Sequence, residues 1–265
     1  MASHAEMDHG LARVETDGHR ADVVLDRAHK RNAMSEQLMR DLTEAFRTVA
    51  ELEEVRSVVM LGEGPVLCAG MDLNMMRERA DAPEEFDHDL FPDLLDTIAD
   101  CPLPTVAAIH GAAPAGGFEL SLPFDFRVIG ADAKYGVIEV QLGTFPHGGA
   151  TQRLPRLVGM AKAKEFVLAG EFIDPEEAER HGLVNEVVEP GTVKERARDL
   201  ADDLAANAPM GIVRAKESLN AAPEMSIDEG LAFERSLGRE IYDTRDYREG
   251  IQARLDGREP DFENR

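Results

Sequence analysis

Apolar positions along the chain come in short runs separated by charged turns. Strand-like runs recur at "ADVVLDR" from residue 21, "VRSVVMLG" from 55, "LPTVAAIHG" from 103, "FRVIG" from 126 and "GLVNEVVE" from 182. Between several of them the apolar period lengthens from strand-like to helical. Ser35 caps a helix whose Leu38, Leu42, Ala45, Phe46 and Val49 form one stripe. In "DPEEAERHG" Asp174 is the cap, Pro175 takes the first helical position, Glu177 closes a capping-box-like pair, and Gly182 is the stop. After about residue 190 strand signals vanish, and the remaining pattern is helical, one helix opening on Ser226 and Glu229 as a capping box. The pattern predicts a mixed α/β body and a helical tail, divided near residue 195.

With 265 residues the chain suits one large domain, or one with a smaller appendage. "MASHAEMDHG" lacks the features of a secretory leader, and no apolar run approaches membrane-spanning length, which predicts a soluble cytoplasmic protein with no membrane partner. Cys68 and Cys101 form neither a disulfide framework nor a CxxC pair and read as buried thiols. Composition changes the picture most through charge: 52 acidic against 29 basic residues give a formal net charge of −23. That argues against nucleic acid as a partner. Lysine is scarce, and such a carboxylate-rich surface suits concentrated salt, where screening suppresses self-repulsion. The acidic segment Arg79 to Asp93 reads as a mobile solvated connector, with a lid over a site as the alternative.

Candidate chemistry starts from what is missing: HExxH, GxSxG and the phosphate-loop GxxxxGK[ST] do not occur, and the eight histidines are scattered, which leaves no metal site. His110 and His147, next to glycines, read as turn residues. Two glycine turns each follow a strand-like run, "VLCAGMDL" and "GAAPAGGFEL". The N–H groups of a helix's first turn lack intrahelical partners and sit at the positive end of its dipole, so such turns attract negative charge. Two of them converging would form an oxyanion hole. Glu119 falls in the first helical turn after Gly116 and Gly117, and Glu139 lies between apolar residues in "YGVIEVQLG". A carboxyl in such surroundings gains proton affinity and serves as a general acid or base near neutrality. By position alone, two glutamates in so acidic a chain carry little weight.

At these residues the sequence resembles the crotonase family, the enoyl-CoA hydratases and isomerases. "DRAHKRNAMSEQL", with Asn32 and Ala33, resembles its opening pattern; "LCAGMDL" resembles its first oxyanion turn. The stretch from His110 to Gly159 resembles the segment carrying the second turn and both acids, and "FVLAGEFIDPEEAERHGLVNEVV" continues it. The resemblance is strong over residues 12 to 195 and loose beyond.

It implies an α/β fold, a crotonase-like spiral of strand-strand-helix turns over residues 1–195, with residues 196–265 as a helical trimerisation region building homotrimers or hexamers. It further implies that the N–H groups of Met71 and Gly116 hold a thioester oxygen, while Glu119 and Glu139 handle water and its proton. Lys30 and Arg31, with Ala69, Gly70, Asp72, Leu73 and Ala115, would contact the acyl-CoA; Arg27 completes a basic island. Coenzyme A is part of the substrate and no separate cofactor is implied. Hydration of an enoyl-CoA is the first reading, because both acids are present. Isomerisation or a specialised dehydration is the alternative, and a non-turnover binding protein or RNA-binding relative the bland one. Ala115 in place of a third glycine, Pro123 early after Glu119, and His147 and Ile138 where glycine and proline are common all depart from the pattern. Pro123 should kink its helix or shorten it. Met71, Met75 and Met76 either line the acyl pocket or fill the core.

Overall fold

The computed structural model describes residues 5–264. In chain order the elements are β1 (Ala5–Asp8), β2 (Ala12–Asp17), β3 (Arg20–Leu25), α1 (Glu36–Glu51), β4 (Ser57–Gly62), α2 (Leu73–Asp81), α3 (Leu90–Ala99), β5 (Thr105–Ile109), β6 (Ala112–Pro114) and α4 (Gly116–Ser121). They continue as β7 (Phe126–Gly130), β8 (Lys134–Gly136), α5 (Ala150–Val158), α6 (Met160–Ala169), α7 (Pro175–Arg180), β9 (Glu186–Val188), α8 (Val193–Ala205), α9 (Pro209–Ala221), α10 (Ile227–Tyr242) and α11 (Arg245–Asp256).

The main sheet runs β1-β2-β3-β4-β5-β7-β9, antiparallel for the first two pairings and parallel from β3 onward. A second sheet pairs β6 with β8. Successive turns therefore alternate between the two sheets: β5 leads to β6 and α4, and β7 leads to β8. This is the expected α/β spiral of strand-strand-helix units. Every residue of β3, β4 and β5 is buried. Helices cover both faces of the parallel part, so these strands read as continuous apolar runs. Val23, Met60, Ala107 and Ile129 face the larger core with α1 and α3, while Val24, Val59, Leu61, Val106 and Val128 pack against Val193, Ala197 and Ala201 of α8. Helix α8 thus crosses residue 195 while lying on the sheet. Beyond it, α9 to α11 bury few side chains of their own and leave Leu219, Ile227, Leu231, Ile251 and Leu255 exposed.

Local signals held in detail at several places. All five residues of the predicted α1 stripe are buried, and Ser35 accepts the Leu38 N–H. Ser226 and Glu229 form a full capping box. Asp174 accepts the Glu177 N–H, but the Glu177 carboxylate turns to Lys162 at 3.0 Å instead of closing the box. Helix α4 stops before Pro123. Both cysteines are buried.

The acidic segment differs from the expected connector. Helix α2 continues to Asp81, a 3-10 turn covers Pro83–Glu85, and α3 starts at Leu90. Arg79 stacks over Phe86 at 4.7 Å and reaches His88 at 3.2 Å, giving the segment an anchor that its charge count concealed. No described helix is long and apolar enough to cross a membrane.

Excess acid shows in how cations are shared. Arg13 contacts Glu15, Asp26 and Glu63, and Arg20 contacts Asp17, Asp22 and Asp202. Screening of the remaining repulsion at molar salt should raise the melting temperature by about 10 °C over dilute buffer. A thermal melt indifferent to KCl would show that the acidic surface carries no such strain.

Candidate active site

Two backbone turns meet at the C-terminal edge of β6. In the first, Met34 donates its N–H to Gly70 O and accepts from Asp72 N, both at 2.8 Å. Met34 and Met71 therefore pair as a parallel bridge. In that pattern the residue opposite turns its own N–H away, so the Met71 amide faces the other side from Met34. The second turn opens α4, whose first residue, Gly116, has no intrahelical acceptor for its N–H. The turns touch: a Cβ on Gly70 would lie 3.0 Å from Pro114 O and 3.7 Å from Gly116 N. A Cβ on Gly116 would meet Met71 Cγ at 3.3 Å. The 3.0 Å and 3.3 Å approaches are tighter than ordinary van der Waals contact. Gly70 also has φ +91°, and Ala115 is held at φ +49°, a conformation costing about 1–3 kcal/mol for a residue with a Cβ.

Glu119 lies one turn into α4 and is buried. Its Oε1 accepts the N–H groups of Gly148 at 2.8 Å and Ala150 at 3.1 Å, the latter the first residue of α5. A Cβ on Gly148 would meet the Phe91 ring at 2.2 Å and Glu119 Oε2 at 2.9 Å, so this turn needs glycine. Burial pushes the Glu119 carboxyl up to about 7; the Ala150 and Gly148 N–H groups and Arg153 pull against this, and nearby Glu139 adds to it. Glu139 opens a 3-10 turn over Glu139–Leu142 and is equally buried. Neither of its carboxyl oxygens has a hydrogen-bond partner among the described residues. Burial raises its proton affinity, against opposing pulls from its own N–H and from His147.

An acid whose folded value exceeds its ordinary 4.5 binds its proton more tightly in the folded chain. Its contribution is complete below about pH 4.5 and disappears as pH rises through about 7, a swing of about 3 kcal/mol for Glu119. Denaturant titrations between pH 5 and 8 should show this slope in the native chain and lose it in Glu119→Gln. An unchanged slope in the variant would assign it to another group.

The expected acyl-CoA contacts divide. Lys30 and Arg31 are exposed on the turn after β3, and Leu73 is exposed at the start of α2. Ala69 and Ala115 are half-buried beside the two turns, each with its N–H engaged, Ala69 to Arg31 O and Ala115 to Gly136 O. Asp72 differs from expectation. It is buried, caps α2 through the Asn74 N–H, and meets Arg27 at 2.7 Å. Burial works against its charge, but Arg27 and that N–H outweigh it and hold the carboxyl below the usual range. Arg27 thus leaves the basic island and Asp72 shapes the turn from within. Met71 and Met75 pack against the core. His110 spans Ala108 O and Gly64 O as a turn residue, and His147 is exposed beside Phe145. Among the described residues no three His, Cys, Asp or Glu side chains gather as a metal-binding set.

Sequence reasoning missed two supports. Asn32, fully buried, donates to the carbonyls of Glu63, Val66 and Leu67 and accepts the Arg27 N–H, tying the β3 turn to the Met71 turn. The Gly148–Ala150 amides hold Glu119. A glycine pair opening a helix, the signal that singled out Gly116, also stands at Gly148 and Gly149.

Comparison with known proteins places the chain in a family. The model of the enoyl-CoA hydratase/isomerase family matches residues 16–265. The chain belongs to the enoyl-CoA hydratase/isomerase family. Its relatives in that family include a probable enoyl-CoA hydratase of Rhizobium meliloti, 35% identical over 95% of this chain and 97% of the relative. A mitochondrial methylglutaconyl-CoA hydratase of Mus musculus is 34% identical over 90% of this chain and 77% of its own. Solved structures with the same fold include an enoyl-CoA hydratase from Polaromonas sp. JS666, TM-score 0.92, 31% identical, covering 96% of this chain and all of that one. One from Bacillus anthracis has TM-score 0.89 at 31% identity, covering 97% of this chain and 100% of its own.

Proposed function

We propose that this family member is an enoyl-CoA hydratase that adds water across the double bond of a 2-enoyl thioester. The supporting observation is the pair of buried carboxyl groups beside two touching glycine turns, one held by backbone N–H groups and one without a partner. Two N–H donors on Glu119 Oε1 favour its ionised form, while an unpartnered buried Glu139 favours its neutral form. Glu119 takes a proton from water as the water oxygen bonds to C3. The π electrons move onto the thioester oxygen as an enolate, which the Met71 and Gly116 amides stabilise. Glu139 then delivers its proton to C2, and proton exchange with solvent resets the pair. Preorganised amides at a developing oxyanion lower the barrier by about 3–4 kcal/mol each.

Water addition of this kind calls for no redox group or metal, and coenzyme A enters as part of the substrate. Lys30 and Arg31 lie exposed where a phosphate-bearing coenzyme needs local cations in an acidic chain. The exposed apolar residues of α9 to α11 support assembly of this region into trimers, singly or paired as hexamers.

Incubation with crotonyl-CoA tests the reaction. The absorbance of the conjugated thioester should fall, and mass spectrometry should find a product heavier by one water. A product of unchanged mass would favour isomerisation, and tight acyl-CoA binding without turnover at any chain length would favour a binding protein.

A further inference from the structure

At the C-terminal end of α4 lies a buried polar cluster that the hydration chemistry does not use. Helix α4 has only six residues and Pro123 bars its continuation, so most of its bonds must come from outside. Arg127 on β7, almost wholly buried, supplies them at the C-terminal end. Its Nη1 donates to Phe124 O at 2.6 Å and lies 3.4 Å from both Ser121 O and Leu122 O, while Nε donates to Leu183 O at 2.6 Å. All four acceptors are carbonyls. The buried guanidinium is held by these carbonyl dipoles, and the nearby charge of Asp125 also favours its ionised form.

One turn earlier, Ser121 Oγ donates to Phe118 O at 2.7 Å and lies 2.8 Å from Tyr135 Oη. Tyr135 is fully buried, and its ring meets Phe118 at 4.5 Å between centroids. It belongs to β8, the strand that runs into the turn bearing Glu139. Strand β8 is itself held on both edges: Gly136 O accepts the Ala115 N–H at 2.9 Å, and Tyr135 O accepts the Ile173 N–H at 2.7 Å. The Ser121–Tyr135 contact is therefore a direct side-chain bond between the helix that carries Glu119 and the strand that leads to Glu139. Phe and Ala at these positions would fill the same space without fixing a distance, whereas a satisfied polar contact specifies one geometry.

We infer that Ser121, Arg127 and Tyr135 are positioning residues that set the spacing and orientation of the Glu119–Glu139 pair, an inference that rests on the proposed two-acid hydration. None touches substrate. They act through α4 and β8.

Tyr135→Phe removes one oxygen and keeps the ring, and Ser121→Ala removes the other partner. Each is expected to lower kcat about tenfold with KM within about twofold, since misplacing a reacting group by a fraction of an ångström affects the chemical step more than binding. The double variant should lose scarcely more than either single one, because both delete the same contact. A second readout needs no turnover: carbon-13 NMR titration of the glutamate carboxyls. Slackening α4 admits water to Glu119, whose titrating neighbours are Glu139 and Arg153. Its midpoint should then fall by about half a unit or more in Tyr135→Phe. A lower melting temperature with kcat, KM and the Glu119 midpoint all unmoved in both single variants would reduce the cluster to scaffold and overturn the inference. If the native chain hydrates no enoyl-CoA, the functional reading fails by itself, and the NMR midpoints still decide the role of the cluster.

Discussion

Glu119→Gln should reduce hydration of crotonyl-CoA by about three orders of magnitude, within the range that a positioned general base contributes. The amide keeps an oxygen for the Gly148 and Ala150 N–H groups, so the turn before α5 need not move. What disappears is the lone pair that takes the water proton. Because burial holds the native carboxyl near 7, the variant should also be more stable than the native chain above neutral pH. Loss of activity together with gain of stability separates a chemical role from a folding defect, in which both would fall. Binding of acyl-CoA should persist. A variant with native turnover would remove Glu119 from the reaction and leave Glu139 as the only acid at the site.

The second large effect is expected at Gly117. A Cβ there would lie 2.6 Å from the Cys68 carbonyl oxygen, which is backbone and cannot swing aside. Gly117→Ala must push α4 away from the Cys68–Met71 turn, carrying the Gly116 amide and Glu119 with it. Overpacking of this kind costs about 1–3 kcal/mol, and the displaced donor should lower kcat by about a hundredfold even where the protein still folds. Circular dichroism and steady-state kinetics on the purified variant check both parts. Native kinetics would mean that the two turns are further apart than described.

Much of the fold was legible because the parallel strands are buried on both faces and leave uninterrupted apolar runs. The elements that were missed lack that signature. β6 and β8 have three residues each and carry Pro114 and Lys134, too short for any period to emerge. β2 does alternate, with Ala12, Val14 and Thr16 inward, and Asp17–Gly18 marks its hairpin, but its charged outer positions diluted the pattern. Of the acids, Glu119 was marked by the glycines before it and Glu139 by its apolar neighbours, and the family resemblance gave the pair its weight. The partners that fix them were not marked, because Arg127, Ser121 and Tyr135 are ordinary residues until folding buries them together. Asp72 illustrates the opposite case. Its motif pointed to the substrate, while the cation 45 positions earlier that claims its carboxylate was visible only in three dimensions.

The most direct test of the account is a crystal structure with an unreactive acyl-CoA thioester bound. The thioester oxygen should lie about 3 Å from both the Met71 and Gly116 nitrogens, with the carboxyl groups of Glu119 and Glu139 facing the carbons that would receive hydroxyl and proton. An oxygen bound elsewhere, or held by one amide with the other turned away, would contradict it.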